Sequence, residues 1–576
     1  MENSYQSTAD STSSPAIIIP PLAGLSSVNQ TDDNQEVQNN IAYQSPGSEP
    51  SSPTGPPSKK KPKLLCGCIR TDRYLGFIEL KPGITWVHIT CFYILVVILL
   101  SMFVFINAMS SYVFEAYLRG TVNRKDQGKL AGDLSFYNEL CILAFGLIWG
   151  VLTDILRGRK FVYMIGFLFM GIGLFLYTFA ETIWQLIIYR IIFAIGAAST
   201  SSMLTAIVGD YVKNKDRGKA SGLLGLASGL GAVVSALACL KIPLWIQSAD
   251  PTISTGQAGM IAFMIMAFFC IIAMCALMIF FKGRIFPICD SKQEREATRR
   301  EMAESSDCEE EDDEERFNIK KSFIRFKNII WEGLFVAPAK RPSLILAYIS
   351  GFVARGDSIL ITTFITLWVS QQMIDIHDSS KADATARGGT ISGICQTFAL
   401  IAAPFVGIFA DLRFRRKKNQ DVEQQPEQED DFKTDFVRKM SRLIVMAIVS
   451  AISGVGYTML SFLTDVTGGF VYLPIALIGI GEIGVIICSQ ILVTAESPSK
   501  VRGSVSGIFT LFGAAGILVA TKVGGYLFDD WKPSGPFLFY GVLNFALFII
   551  SIGFIIAHVI YRFKVGRNSN KGVDLK

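Results

Sequence analysis

The sequence predicts an all-α integral membrane protein with twelve transmembrane helices, arranged as two repeats of six. Three observations lead to this prediction: the composition, the length of the apolar stretches and a polar motif that occurs twice. Half of the 576 residues are hydrophobic and only 18% are charged, and the mean hydropathy is +0.40. A soluble chain of this size would carry more charge and would interrupt its apolar stretches more often.

Twelve apolar stretches have close to the ~20 residues that a helix needs to cross about 30 Å of hydrocarbon. Gly and Ala are scattered through them, as in packed membrane helices, whereas barrel strands would alternate apolar and polar residues. The predicted spans are residues 87–112, 134–156, 161–182, 185–208, 218–240, 258–282, 343–370, 389–411, 441–463, 470–494, 503–527 and 537–561.

A polar motif follows the second span and returns after the eighth. It reads Gly-Val-Leu-Thr-Asp-Ile-Leu-Arg-Gly-Arg-Lys over 150–160 and Gly-Ile-Phe-Ala-Asp-Leu-Arg-Phe-Arg-Arg-Lys over 407–417, an offset of 257 residues. The same offset places Glu139 over Gln396 and Ser135 over Ser392. Two halves with one plan indicate the internal duplication found in transporters.

The basic residues of the short loops predict the orientation. The loops after the second, fourth, eighth and tenth spans carry several Lys and Arg, and those after the third and ninth carry none. The loop after the first span, which is also basic, is an exception. The positive-inside rule places both termini in the cytosol. On this orientation the N-x-S/T sequon at Asn29 lies on the side where it is not glycosylated.

These features divide the chain into five predicted regions. Residues 1–84 are too polar to fold alone and form a disordered cytosolic tail that ends in a basic patch. Two six-helix bundles follow, at 85–283 and 343–562, the second with a polar cytosolic insertion at about 414–440. A cytosolic acidic linker over 284–342 joins them, and residues 563–576 form a cytosolic tail.

The tail and the linker carry possible modification sites. Cys66 and Cys68 follow the basic patch, and they are either acylated at the membrane or unmodified thiols. Ser306 precedes a dense acidic run over 307–315, so it is either a site for an acidophilic kinase or the edge of a solvated charge run.

The repeated motif resembles the signature of the major facilitator superfamily, and the resemblance extends from the first span to the twelfth. The family pattern G-x-x-x-D-x-x-x-G-R-K is matched at every fixed position by Gly150, Asp154, Gly158, Arg159 and Lys160. The second copy replaces the second glycine by arginine and keeps Gly407, Asp411, Arg416 and Lys417. The fourth span has the family's Arg190 and Gly196, with Ala194 in place of another glycine. The Gly-Pro pair of antiporters is absent from 218–240.

The resemblance implies alternating access, in which two bundles rock around a binding site at the middle of the membrane. It also implies that the two motifs are gate elements that close against the cytosolic ends of the eleventh and fifth helices. The alternative is that these cations only set the topology.

Charged residues at the centre of a span are the main candidates for binding and coupling. Such a residue costs about 2.5–3.5 kcal/mol on insertion, so it usually faces a cavity or a partner. Arg355 and Asp357 lie in the seventh span and Glu482 in the tenth. We expect Arg355 to face the cavity, balanced by Asp357 or Glu482. Glu482 is the candidate proton carrier, because burial disfavours the ionised carboxyl. The alternative is a permanent structural ion pair.

The N-terminal half offers further candidates. Arg190 occupies a position that the resemblance links to proton coupling or substrate contact. Asn107 and Glu139 lie in the outer third of their spans and could line the outer vestibule, although Glu139 could equally be a residue of the headgroup zone. His88 and Lys522 lie near span ends, where we expect them to snorkel to the interface.

The two signs of charge at mid-membrane favour a secondary active transporter of a small anionic or zwitterionic organic solute, coupled to protons. The alternative is a transporter-shaped receptor or scaffold that signals through its cytosolic segments. The sequence contains no phosphate loop, nucleophile elbow or metal-ligand spacing, so we predict neither an enzyme nor a cofactor or metal site. The predicted partners are the solute, protons and the lipid bilayer, not nucleic acid. We expect a monomer in the plasma membrane or an endolysosomal membrane.

Overall fold

The structure of the chain is a computed structural model. It describes residues 64–65, 69–70, 73–76, 78–81, 83–116, 122–156, 159–213, 216–281, 331–410, 427–497 and 502–573. Several predictions therefore concern positions outside the described residues: Asn29, the basic patch, Cys66, Cys68, Gly158, Ser306 with its acidic run, Asp411, Arg416 and Lys417.

The N-terminal half begins with two short antiparallel strand pairs and continues as helices. The strands are β1 (Leu64–Leu65), β2 (Ile69–Arg70), β3 (Arg73–Tyr74) and β4 (Ile78–Glu79), and Arg73 lies opposite Glu79. The helices are α1 (Trp86–Ala108), α2 (Ser110–Ala116), α3 (Gln127–Leu156), α4 (Arg159–Tyr177), α5 (Ile183–Tyr211), α6 (Arg217–Leu237), α7 (Ile242–Ala249) and α8 (Thr255–Phe280). Thr182 and Ser254 start α5 and α8 with capping boxes, each closed by a glutamine three residues on.

The C-terminal half repeats the helical plan. A π-helical turn over Glu332–Val336 leads into the short α9 (Ala337–Lys340), and another over Leu360–Phe364 joins α10 (Ser343–Ile359) to α11 (Ile365–Asp375). The remaining helices are α12 (Lys381–Ala410), α13 (Glu427–Ser461), α14 (Tyr472–Glu496), α15 (Arg502–Asp530) and α16 (Gly535–Val573).

The helices confirm the predicted membrane architecture. Eleven helical segments among the described residues are long and apolar enough to cross a membrane, and they cover every predicted span except the second. The second span, 134–156, lies within the 30-residue helix α3. The first span breaks after Ala108 and the seventh contains a π-helical turn, so two predicted continuous helices are interrupted.

Regular secondary structure extends into four of the predicted tail, linker and insertion regions. Residues 73–84 were assigned to the disordered tail, but the β3–β4 pair packs at the start of α6, where the backbone N–H of Glu79 donates to Asp216 at 2.9 Å. Ile78 and Leu80 are fully or almost fully buried there, which gives this segment an apolar anchor. The linker is also helical from Trp331, and α13 begins at Glu427 inside the predicted polar insertion. Helix α16 continues to Val573, well into the predicted tail.

Two pairs of long helices make most of the helix packing between the halves. Helix α3 packs against α15, and α6 packs against α12. We call the end of the bundles that carries Arg159 and Lys160 the motif end, and the opposite end the far end. A Cβ on Gly132 would collide with the carbonyl oxygen of Thr521, so this glycine allows α3 and α15 to touch backbone to backbone near the far end.

Candidate functional site

Arg355 links the two halves at the middle of the molecule. Its guanidinium interacts electrostatically with Glu139 of α3, from the N-terminal half, and with Glu482 of α14, from its own half. The side chain of Arg355 lies on α15, where a Cβ on Gly513 would be 2.9 Å from its Cγ. The lack of a side chain at Gly513 therefore makes room for the arginine. One cation thus interacts with one carboxyl from each half.

Glu482 is held by a hydroxyl as well as by the arginine. Its side chain is 4% exposed, and Oε1 accepts a hydrogen bond from Ser358 Oγ at 2.5 Å. Ser358 also lies 3.4 Å from the carbonyl oxygen of Ala354, one turn earlier on α10. The same stretch of α10 therefore supplies the cation and the hydroxyl that surround Glu482.

Asp357 is turned away from Arg355 and into the C-terminal half. Asn544 Nδ2 of α16 lies 3.2 and 3.3 Å from the two carboxylate oxygens of Asp357, and both side chains are fully buried. The hydroxyl of Tyr457 donates to the backbone carbonyl of Asp357 at 3.3 Å. Of the two carboxyls expected to balance Arg355, the structure therefore brings only Glu482 to it and adds Glu139.

Arg190 and Asn107 contact each other in the core of the N-terminal half. Arg190 is fully buried, Nη1 donates to the carbonyl oxygen of Ile106 at 2.8 Å, and Nη2 donates to Asn107 Oδ1. Arg190 also interacts with Tyr177 of α4. These contacts tie α5 to the last residues of α1, just before the chain breaks into α2.

Hydrogen bonds and ion pairs close the far end between the halves. The carboxylate of Asp529 accepts from the backbone N–H groups of Gly128 at 2.8 Å and Lys129 at 2.6 Å, at the start of α3. A carboxylate there satisfies free N–H groups and complements the helix dipole. Lys129 pairs with Asp530 at 2.6 Å, and this hydrogen bond raises the pKa of the lysine. The C-terminal half thus caps a helix of the N-terminal half.

A second part of this closure surrounds Glu115, at the end of α2. Gln127 donates to Glu115 at 2.7 Å, and Lys381 of the C-terminal half donates to its backbone carbonyl. Arg124 pairs with Asp375 of α11 at 2.7 Å. The cross-half contacts of Glu115, Arg124, Lys129 and Asp529 all lie at the far end, so the halves meet there in this conformation.

Lys522 is part of the same closure. Its ammonium pairs with Asp133 of α3 at 2.5 Å and lies 4.7 Å from the centroid of the Phe136 ring. Both side chains of this ion pair are exposed, so the expectation that Lys522 snorkels to the membrane surface stays a prediction. His88, by contrast, lies beside its helix start, where Nδ1 is 3.0 Å from Thr85 Oγ1.

At the motif end, the described motif residues contact their own half. Arg159 forms an ion pair with Asp210 and donates to the carbonyl of Ala206 at 2.8 Å, both on α5. Lys160 donates to the carbonyls of Met278 and Phe281 at the end of α8, at 3.0 and 2.9 Å. In this conformation Arg159 binds the end of α5 and Lys160 binds the end of α8. A gate role of the motif stays a prediction.

Several polar residues around these sites were not among the predicted candidates. Ser358, Asn544 and Tyr457 surround the two carboxyls of the C-terminal half. Glu115 and Asp529 hold the far end. Ser358 had a signal, since it directly follows Asp357 in a span. Asn544 and Tyr457 look like ordinary polar residues of apolar helices until the packing brings them to Asp357.

Comparison with curated proteins finds partial relatives at low identity. The chain is 28% identical over 217 residues to the magnetosome protein MamH of Paramagnetospirillum magneticum, covering 38% of this chain and 44% of that protein. It is 31% identical over 126 residues to multidrug resistance protein 3 of Bacillus subtilis, covering 20% of this chain and 24% of that protein. These matches span less than half the length of either relative.

Solved structures share the fold at low sequence identity. A POT family transporter in complex with 5-aminolevulinic acid has a TM-score of 0.55 and 12% identity, covering 85% of this chain and 98% of that one. A D-xylose-proton symporter has a TM-score of 0.52 and 13% identity, covering 81% and 97%. The model of the family described as Major Facilitator Superfamily matches residues 91–521. With that match over most of its length and with this fold, the chain belongs to the major facilitator superfamily of membrane transporters.

Proposed function

We propose that this transporter couples proton movement to the movement of a small organic solute with an anionic or zwitterionic group. One observation carries the proposal: Arg355 is shared by Glu139 and Glu482, carboxyls that come from opposite halves. Alternating access moves the halves against each other, so the partners of Arg355 change during the cycle. In this scheme Arg355 binds the acidic group of the solute and Glu482 exchanges the proton.

The charge balance explains how proton and solute are coupled. An ionised Glu482 competes with an anionic solute for Arg355, whereas a protonated Glu482 no longer attracts the guanidinium. Proton binding therefore removes one of the two carboxylates that compete with the solute for Arg355. Loss of the proton on the other side of the membrane restores the pair and releases the solute. The Asp529, Lys129 and Glu115 contacts hold the far end together, and in this proposal the solute and the proton reach the site from the motif end.

The experiment has two stages. Purified protein is first screened by thermal stability against amino acids, dipeptides, monocarboxylates, dicarboxylates, 5-aminolevulinic acid, nucleosides and D-xylose. A ligand at 100 times its dissociation constant adds about 2.7 kcal/mol. Each stabilising compound is then tested in proteoliposomes that contain a pH-sensitive dye, with and without an imposed pH gradient.

We expect at least one acidic or zwitterionic compound to stabilise the protein and to move protons with it. Glu482→Gln should abolish the proton movement. Glu496→Gln is the matched control, since Glu496 is a 7%-exposed glutamate of the same helix that pairs with Lys439 and not with Arg355. Solute uptake that ignores the pH gradient and survives Glu482→Gln would refute proton coupling. Absence of any transported compound would favour the receptor or scaffold alternative.

A further inference from the structure

The carboxyls around Arg355 outnumber the cations. Arg355 interacts with Glu139 and Glu482, and Glu482 also interacts with Asp357. Within the described residues this connected group contains three carboxyls and one guanidinium. Charges inside a membrane protein are stable when they are paired. At least one carboxyl of the group must therefore be neutralised by something other than Arg355.

Among the described residues, Asp357 is the carboxyl of this group that interacts with no cation. In the described part of the chain, the titratable groups that interact with it are a glutamate, a cysteine and two tyrosines, from four different helices: Glu482 of α14, Cys395 of α12, Tyr457 of α13 and Tyr540 of α16. None of these groups is basic. Asp357 is also fully buried, so bulk water does not solvate its charge.

The neighbouring amide supplies an independent observation. Asn544 is fully buried and aimed at Asp357, since its Nδ2 lies almost equally far from both carboxylate oxygens. Its Oδ1 is buried without a hydrogen-bond donor. A buried acceptor without a donor is costly. Asn544 Oδ1 thus lacks a hydrogen-bond donor next to a carboxyl that lacks a cation among the described residues, and a proton on Asp357 would address both.

We propose that Asp357, Asn544 and Tyr457 form a proton-binding site inside the C-terminal half, and that Asp357 keeps its proton while Glu482 exchanges one. A protonated Asp357 can donate to Asn544 Oδ1 when the amide turns over, because the two ends of an amide have nearly the same shape. This turn loses the 3.0 Å hydrogen bond from Nδ2 to the carbonyl of Tyr540, one turn earlier on the same helix, and it places Oδ1 beside that carbonyl oxygen. The Tyr457 hydroxyl is the second available acceptor.

Asp357 and Glu482 differ in their access to the interface between the halves. Glu482 interacts electrostatically with Arg355, which also interacts with Glu139 of the other half. Asp357 is enclosed by side chains of α13 and α16. The proposal that Asp357 binds a proton is argued from this packing. The proposal that it keeps the proton during the transport cycle rests on the proposed proton exchange at Glu482.

Infrared spectroscopy of the full-length protein in lipid bilayers tests the site. A protonated carboxylic acid has a carbonyl band that an ionised carboxylate lacks, and carboxyl-13C labelling of aspartate or glutamate assigns it. At neutral pH we expect one band that shifts with labelled aspartate and disappears in Asp357→Asn. Asn544→Leu should move this band, since the acceptor is lost, and Glu496→Gln should leave it in place.

Recording the same infrared bands at several pH values sharpens the test. When the pH is raised from acidic to neutral, the aspartate band should persist while a glutamate band of Glu482 is lost. An aspartate band that disappears together with the glutamate band would overturn retention of the proton. Absence of any aspartate band at neutral pH would overturn the site. If Asp357→Asn does not fold, the isotope labels on the intact protein still decide both questions.

A metal ion is the competing occupant. Thermal stability is therefore measured in sodium, potassium and choline chloride, with wild type and Asp357→Asn. We expect no sodium-specific stabilisation. A sodium-specific rise in melting temperature that Asp357→Asn removes would replace the proton by Na⁺. Proton coupling through Glu482 is read from transport, so its failure would leave the aspartate band unaffected and the two proposals can be separated.

Discussion

Arg190 and Arg355 are both arginines within membrane-spanning helices, one in each half, and their surroundings differ. Arg190 is fully buried in one half and bonds to neutral acceptors, the Ile106 carbonyl and the Asn107 amide. Arg355 lies where the halves meet and interacts with Glu139 and Glu482. An arginine with neutral partners has nothing to exchange with. An arginine with two titratable partners pairs more strongly with one or the other whenever one of them gains or loses a proton.

The difference separates a structural role from a coupling role. Ile106 and Asn107, to which Arg190 bonds, lie just before the helix break after Ala108 and belong to the same half as Arg190. The partners of Arg355 belong to both halves, so alternating access must rearrange them. Changes at Arg355 should therefore act on transport, and changes at Arg190 should act on stability.

The largest effect is expected from Arg355→Ala. Removal of one member of a buried charged contact costs about 2–5 kcal/mol of binding free energy, which is at least roughly 30-fold in affinity. We expect this loss for every acidic solute that stabilises the wild type, measured by titration of the thermal shift. Arg387→Ala is the control, because Arg387 binds the Tyr472 hydroxyl and the Val466 carbonyl. Unchanged affinity in Arg355→Ala would place the solute elsewhere.

Arg190→Ala should mainly destabilise the N-terminal half. The substitution leaves a cavity and removes the donors from Ile106 and Asn107, for an expected loss of about 3 kcal/mol in the free energy of unfolding. Denaturant unfolding of the purified protein measures it. Arg190→Met keeps most of the volume, so it should lose less. Wild-type stability in the alanine variant, combined with lost solute binding, would reverse the assignment of the two arginines.

The smallest of these effects is expected from Ser358→Ala. It removes the 2.5 Å hydrogen bond to Glu482 but keeps Arg355. A net contribution of about 1 kcal/mol corresponds to a roughly fivefold slower proton-coupled uptake. Ser392→Ala is the matched control for Ser358→Ala. The buried Ser392 hydroxyl donates to the Ile361 carbonyl, which is its one described hydrogen bond. Equal uptake rates in the two variants would show that the hydroxyl does not tune Glu482.

The sequence by itself determined the membrane fold, because its signals are local or periodic. The length of the apolar spans matches the thickness of the hydrocarbon layer, and the motif that returns after 257 residues indicates the internal duplication. Mid-span charge is costly wherever the helix lies, so Arg355, Asp357 and Glu482 stood out without a structure. Local polarity was a poorer guide to order, as the buried Ile78 and Leu80 within the predicted tail show.

Only the tertiary structure decided which charges meet. Asp357 and Arg355 are two residues apart on one helix and point to different partners, Asn544 and Glu482, from helices far along the chain. Glu139 interacts electrostatically with Arg355 across the halves, which pack together through α3 and α15. The far-end closure around Asp529 likewise joins residues about 400 positions apart. Such contacts depend on helix packing and rotation, which a pattern along one chain does not encode.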